Sequence, residues 1–252
     1  MWIEELAGGG LDVVGDVHGE LEELQKLLRT LGYDADGRHG EGRRLCFVGD
    51  LTDRGPDSPG VVELVSRLVR RGRAQCVLGN HELNILRGQR KEGNRWFYGE
   101  REQHRDGTHT QEALADDATR EKVLRFFRSL PLALEHHELR VVHACWREER
   151  VSELRGQRGD LVTASEALAA RFEERFEREG LAERAREQGA VPMHDPDEAP
   201  PMLRERAELG VRRQNEHAIK VLTSGVEEVA DEPFWAGGRW RLQRRVAWWK
   251  DY

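Results

Sequence analysis

The chain reads as an α/β protein with neighbouring parallel strands, and three observations predict this. Three short apolar runs, at 11–15, 44–48 and 74–78, have strand length and are bounded by polar or glycine residues. The segments between them carry apolar residues at helical spacing. Each run also ends in glycine followed by a carboxylate or an amide: LDVVGDVHG, CFVGDLTDRG and QCVLGNHE. A β-α-β-α-β alternation of this kind argues for parallel strands joined by right-handed crossovers.

Taken in order, a strand from Leu11 to Gly15 is followed by ELEELQKLLRTLGY, whose Leu21, Leu24, Leu27, Leu28 and Leu31 form one apolar helix face. A charged, glycine-rich loop spans Asp34 to Gly42. The strand at 44–48 leads into a helix from about Ser58 to Arg71, which Asp57 or Ser58 can cap and which Pro59 suits in its first turn. A third strand, Ala74 to Leu78, opens through GNHE into a helix ending near Leu86. Residues 87–110 turn polar and aromatic and read as a long loop or short helices over the strand ends. A helix from Thr119 to Ser129 and a hairpin, Leu132–His136 with Leu139–His143, complete this part.

Residues 147 to about 215 differ in character. ASEALAARFEERFEREGLAERAREQG is charged and helical in propensity, with Phe172 and Phe176 as a narrow apolar stripe. We expect a single domain over 1–252, with a helical insertion or cap here and an incomplete C-terminal end. A strand at Ile219–Thr223, a linker through Pro233 and hairpin strands around Arg239–Leu242 and Val246–Trp249 are expected last.

Composition sets the outer limits. A chain of 252 residues can bury one full core, and 35% charged residues with a net charge of −7 predict a soluble surface. An acidic balance argues against general nucleic-acid binding, which needs a basic footprint. No run approaches the ~20 apolar residues of a membrane helix, and the start, MWIEELAGGG, has no signal-peptide pattern. The cysteines, Cys46, Cys76 and Cys145, are therefore expected as reduced thiols in the cytoplasm, with Cys46 and Cys76 in the core.

The chemistry sits at the strand ends. The carboxyl end of a strand in an open sheet is where ligands bind, and here the ends deliver Asp16, His18, Asp50, Asn80 and His81 to one rim. Mixed oxygen and nitrogen donors suit manganese, iron or zinc better than calcium. Asp53 and Arg54 place a carboxylate and a fixed cation in one turn, and His143 ends the later hairpin. Taken singly, Gly-Asp is also a turn signal and Asp53-Arg54 an ordinary ion pair; it is their recurrence in the same strand–loop context that points to a metal site. His39, His104, His109, His136, His137 and His217 are expected as surface or loop histidines, and the terminal tryptophans as packing residues.

GDVHG, GDLTDRG, GNHE and HACW, in this order, resemble the calcineurin-like metallophosphoesterases, in the branch of the Ser/Thr phosphoprotein phosphatases and bacterial diadenosine tetraphosphate hydrolases. The resemblance covers residues 11–146. It implies a β-sandwich flanked by helices and a centre of two divalent ions, expected as Mn2+ with iron or zinc as alternatives. Asp16 and His18 would hold the first ion, Asp50 would bridge, and Asn80 and His143 would hold the second. Two ions ~3.5–4 Å apart would turn a shared water into a hydroxide nucleophile. Arg54 would clamp the phosphate, while His81, oriented by Asp53, would protonate the leaving oxygen. The implied substrate is a dinucleoside polyphosphate or another small phosphorylated compound; a protein Ser/Thr phosphatase and a non-catalytic binding protein are the alternatives. Family members carry a late Gly-His that completes the second ion's shell, and no Gly-His follows His143 here. The expectation is a chain that is incomplete or a second site that is weak.

Overall fold

In the computed structural model, which describes residues 1–101 and 113–251, the three apolar runs form one parallel sheet. Its strands are β2 (Leu11–Val14), β3 (Arg44–Phe47) and β4 (Ala74–Cys76), in the order β2-β3-β4, after a short β1 (Ile3–Glu5). Val14 lies opposite Phe47 and Phe47 opposite Cys76, so the three carboxyl ends are level. Strand β1 has no counterpart in the sequence expectations; it pairs in parallel with β5 (Ala133–Glu135), which forms the expected hairpin with β6 (Arg140–Val142). Leu6, Cys46, Val77, Leu134 and Val141 pack in one buried cluster, so side chains from both sheets share a core. This is the α/β, two-sheet arrangement expected.

The helices of this part follow the apolar spacing. They are α1 (Leu21–Thr30), α2 (Ser58–Arg70), α3 (Asn80–Leu86) and α4 (Asp117–Ser129). In α1 only Leu24 and Leu28 are buried, and Leu27 remains 41% exposed. Helix α2 is capped by Asp57, whose side chain accepts the Gly60 N–H at 2.8 Å, and buries Val61, Val62, Leu64, Val65 and Leu68. Removing such a cap typically costs ~1 kcal/mol. Strand β2 is pinned by Asp12, which accepts from Tyr33 Oη and Arg43 Nε at 2.7 and 2.8 Å. These bonds hold its carboxyl at about 2.

Two compact units divide the chain: 1–143 with 154–162, and 144–153 with 163–252. The second contains most of α5 (Glu148–Leu154) and of α6 (Leu161–Arg178), with α7 (Leu181–Glu187), α8 (Arg204–Asn215), α9 (Ala218–Ser224) and a hairpin of β7 (Glu227–Ala236) and β8 (Arg239–Arg245). Phe176 is fully buried with Leu181, Ala182, Ala185 and Leu209, and Phe172 packs against them. The expected helices over 164–189 are present.

Several expectations fail in this unit. Residues 219–223 are helix α9, not a strand. A short apolar run fits either state, and here His217 caps it through Nδ1, which accepts the Lys220 N–H, while Gly225 (φ +80°) ends it. His217 is accordingly buried, 1% exposed, rather than a surface histidine. The stretch through Pro233 is strand β7, not a linker; Pro233 falls where the pairing register breaks between Val229 and Phe234, a position that tolerates a missing N–H. Gly237 and Gly238, both at positive φ, make the hairpin turn. Val246 and Ala247 lie outside strands, and Trp248–Asp251 form a 3-10 turn. Trp240 and Trp248 are half-buried as packing residues, but Trp235 and Trp249 are 39% and 62% exposed. The expectations for His104 and His109 lie outside the described residues. No helix among the described residues is long and apolar enough to cross a membrane.

Candidate metal centre

The carboxyl ends of β2, β3 and β4 bring the expected residues together, and the glycines after β3 and β4 let those two backbones close up. A Cβ at Gly79 would lie 2.2 Å from Asp50 Oδ1, and one at Gly49 2.6 Å from the Gly79 nitrogen. Gly49 also sits at φ +96°. Gly15 meets nothing within 4 Å, so its side chain is not missed in the same way. Among the described residues, the non-glycine residues with positive φ are His18, Asp50, Asp53 and Arg54. Left-handed backbone in residues with a Cβ is costly and collects at functional sites. Here hydrogen bonds hold it: the His18 N–H donates to Asp50 O at 3.0 Å, Gly55 N–H to His18 O at 2.8 Å, and Asp53 N–H to Ser58 Oγ at 2.9 Å.

Glu82, which the sequence reading gave no role, organises the turn after β3. It is fully buried, and its oxygens accept the N–H groups of Asp50 (2.9 Å), Leu51 (2.9 Å) and Gly79 (3.0 Å) and the Thr52 hydroxyl (3.3 Å). Burial, with the Asp50 charge, pushes its carboxyl up to about 7, against four donors that favour the ionised form. An acidic residue at the third position of a helix opening on glycine is the signal that could have found it.

Two histidines present the same nitrogen to the site. His18 Nδ1 lies 2.9 Å from Thr52 O and His143 Nδ1 2.8 Å from Val48 O. A carbonyl can only accept, so each Nδ1 carries a hydrogen, and Nε2 is the ring nitrogen turned to the site that can offer a lone pair. This is the arrangement metal-binding histidines use. His143, from the second sheet, reaches the rim through that bond to β3's end. Its Nε2 is 3.5 Å from Asp50 Oδ1 and 3.2 Å from Asn80 Oδ1. The other oxygen of Asp50, Oδ2, is 3.9 Å from His18 Nε2 and 3.8 Å from His81 Nε2. Asp50 is 4% exposed and turns one oxygen to each side. Two groups of ligand atoms within 4.8 Å share it: His18, Asp50 and His81, and Asp16, Asp50 and His143. The expected pairing put Asp16 with His18; their atoms are 3.8 Å apart, but Asp16 also falls within reach of His143's group.

His81 Nδ1 donates to Asp53 Oδ2 at 2.6 Å. Burial alone would lower its pKa, but the Asp53 bond and the charges of Asp50, Asp53 and Glu82 outweigh it and hold the imidazole above its ordinary value. Arg54 is exposed and extends across the rim, Nη1 2.9 Å from His18 Nε2 and Nη2 3.4 Å from His81 Nε2. Cys145 belongs to neither ligand group; it is buried, which pushes its thiol up to about 11. Cys46 and Cys76 are free and buried, as expected.

The profile of the calcineurin-like phosphoesterases matches residues 11–198. The chain belongs to the calcineurin-like phosphoesterase family. Among relatives of this phosphoesterase is an asymmetrical bis(5′-nucleosyl)-tetraphosphatase PrpE of Oceanobacillus iheyensis, 35% identical over 144 residues, which cover 53% of this chain and 54% of that protein. A protein of the same name from Anoxybacillus flavithermus is 32% identical over 173 residues, covering 64% and 63%. The phosphoesterase thus spans a little over half the length of these relatives. A crystal structure of a putative diadenosine tetraphosphatase is 25% identical, with a TM-score of 0.37, over 59% of this chain and 58% of that one. The family implies divalent metal ions, and the oxygen and imidazole donors gathered around Asp50 fit them.

Proposed function

We propose that this phosphoesterase is a metal-dependent hydrolase of dinucleoside polyphosphates or closely similar small phosphorylated compounds. The observation that carries this reading is Asp50, a buried carboxylate with one oxygen towards His18 and His81 and the other towards His143. Asp16, His18, Asp50, Asn80 and His143 would hold two divalent ions, manganese first, with iron or zinc as alternatives. Bound ions would supply Lewis acidity and a water of lowered pKa. Arg54 binds the non-reacting phosphate oxygens through its planar fork, swinging from the histidine nitrogens to do so. His81, held by Asp53, gives its Nε2 proton to the leaving oxygen as the P–O bond breaks and water's oxygen bonds to phosphorus; water sheds one proton to solvent, and solvent returns one to His81.

The relatives named for dinucleoside tetraphosphates support that substrate class. We place the enzyme in the cytoplasm, where nucleotides are held and thiols stay reduced. We further read 1–252 as one phosphoesterase domain with a helical insertion at about 147–215; the family match, which runs through the first helices of that segment, supports this.

The test is turnover with manganese of diadenosine tetraphosphate, a phosphopeptide and p-nitrophenyl phosphate, with products separated by chromatography. The expected result is fastest cleavage of the dinucleotide into ATP and AMP. Faster phosphopeptide turnover would assign a protein phosphatase instead. No turnover by metal-loaded protein would leave a binding protein.

A further inference from the structure

Residues 89–98, after α3, make a buttress for the pair formed by Asp53 and His81. Asn94 is fully buried; its Nδ2 donates to Gln89 O at 2.8 Å and its Oδ1 accepts the Lys91 N–H at 3.0 Å, which closes the loop on itself. Gly93, at φ +94°, brings the backbone so close that a Cβ there would sit 3.3 Å from Asp53 Cβ. The 3-10 turn Arg95–Tyr98 then buries Trp96 completely, and Trp96 O accepts the Ala115 N–H at 2.9 Å. The indole Nε1–H donates to Asp53 Oδ1 at 2.7 Å.

Asp53 is thus held by both oxygens, Oδ1 by Trp96 and Oδ2 by His81 at 2.6 Å, at 1% exposure. One bond fixes a distance; the second fixes the plane of the carboxylate, and with it the plane of the imidazole. An indole N–H can only donate. It therefore cannot compete for the His81 hydrogen, as a hydroxyl or amide in its place could.

We infer that Trp96 is a positioning residue: it acts through Asp53 to aim His81 Nε2 at the leaving oxygen. This rests on the phosphoester hydrolysis proposed above and deepens it, since it names the residue on which proton delivery depends. A residue that only fills the core would slow every substrate alike. One that aims the proton donor slows most those whose leaving oxygen needs the proton.

The experiment is Trp96→Phe, assayed with manganese on phenyl phosphate and p-nitrophenyl phosphate, whose leaving oxygens differ in basicity. For phenyl phosphate kcat is expected to fall roughly ten- to a hundredfold with KM little changed. For p-nitrophenyl phosphate the loss is expected to stay within roughly threefold. In an Asp53→Asn background the same substitution should no longer discriminate between the two esters. Equal losses on both esters, or undiminished discrimination without Asp53, would overturn the inference. Should Trp96→Phe fail to fold, a benzothienylalanine at position 96 keeps the bicyclic shape, lacks the N–H and is held to the same outcomes. If the unaltered chain hydrolyses diadenosine tetraphosphate but neither ester, Trp96→Phe is read on the dinucleotide, where a kcat loss within roughly threefold would overturn the inference; if it hydrolyses none of the three, the hydrolase reading itself falls.

Discussion

Asp50→Asn is expected to abolish metal retention and hydrolysis together while leaving the fold in place. Asparagine tolerates the left-handed backbone that Asp50 adopts at φ +47°. Its carbonyl oxygen can still accept the His81 N–H, as Asp50 Oδ1 does at 3.1 Å. What is lost is the charge and one of the two oxygens that face the separate imidazoles. Altering groups that merely orient a metal ligand costs ~10–100-fold, so replacing the residue shared by both sites should cost more than ~100-fold. Metal content by mass spectrometry and a thermal melt, read beside turnover, check this. Wild-type-like turnover by the variant would remove Asp50 from the bridging position.

His81→Ala should slow dinucleotide cleavage by ~10²–10⁴, the usual value of general acid help. The loss on p-nitrophenyl phosphate should be much smaller, because its leaving oxygen departs without a proton. The geometry behind this is the 2.6 Å bond to Asp53, which fixes the ring so that Nε2 looks into the rim. Steady-state kinetics on both substrates, under saturating manganese, separate this role from metal binding. Equal losses would mean that His81 serves the metal site instead, where its Nε2 already lies 3.8 Å from Asp50 Oδ2.

Much of this site was legible from local sequence because its parts are local. An apolar run, a glycine and a carboxylate or amide define a strand end wherever they occur, and β2, β3 and β4 form where three such runs stand. Asp16, His18, Asp50, Asn80 and His81 meet because those ends are level, as the register of Val14, Phe47 and Cys76 shows. Glu82 was legible only as the acidic third residue of a helix opening on glycine, and Trp96 not at all. Their partners, Asp50 and Asp53, lie 32 and 43 residues away, and no local pattern announces which residue each will meet. Strand β1 is three residues long, too short for a period to register. Residues 219–223 show the opposite failure, a β-branched run overruled by a cap at His217 and a stop at Gly225.

Asp16, His18, Asp50, Asn80 and His143 are proposed to hold two divalent ions. The most direct measurement is a calorimetric titration of metal-stripped protein with manganese. Two binding events of unequal affinity are predicted, because Asn80 offers the second ion only a neutral carbonyl where Asp16 offers a carboxylate. Both events should weaken in Asp50→Asn. Two equally tight sites would contradict the ligand assignment, since an unnamed residue would have to complete the second shell. No binding would contradict the claim itself.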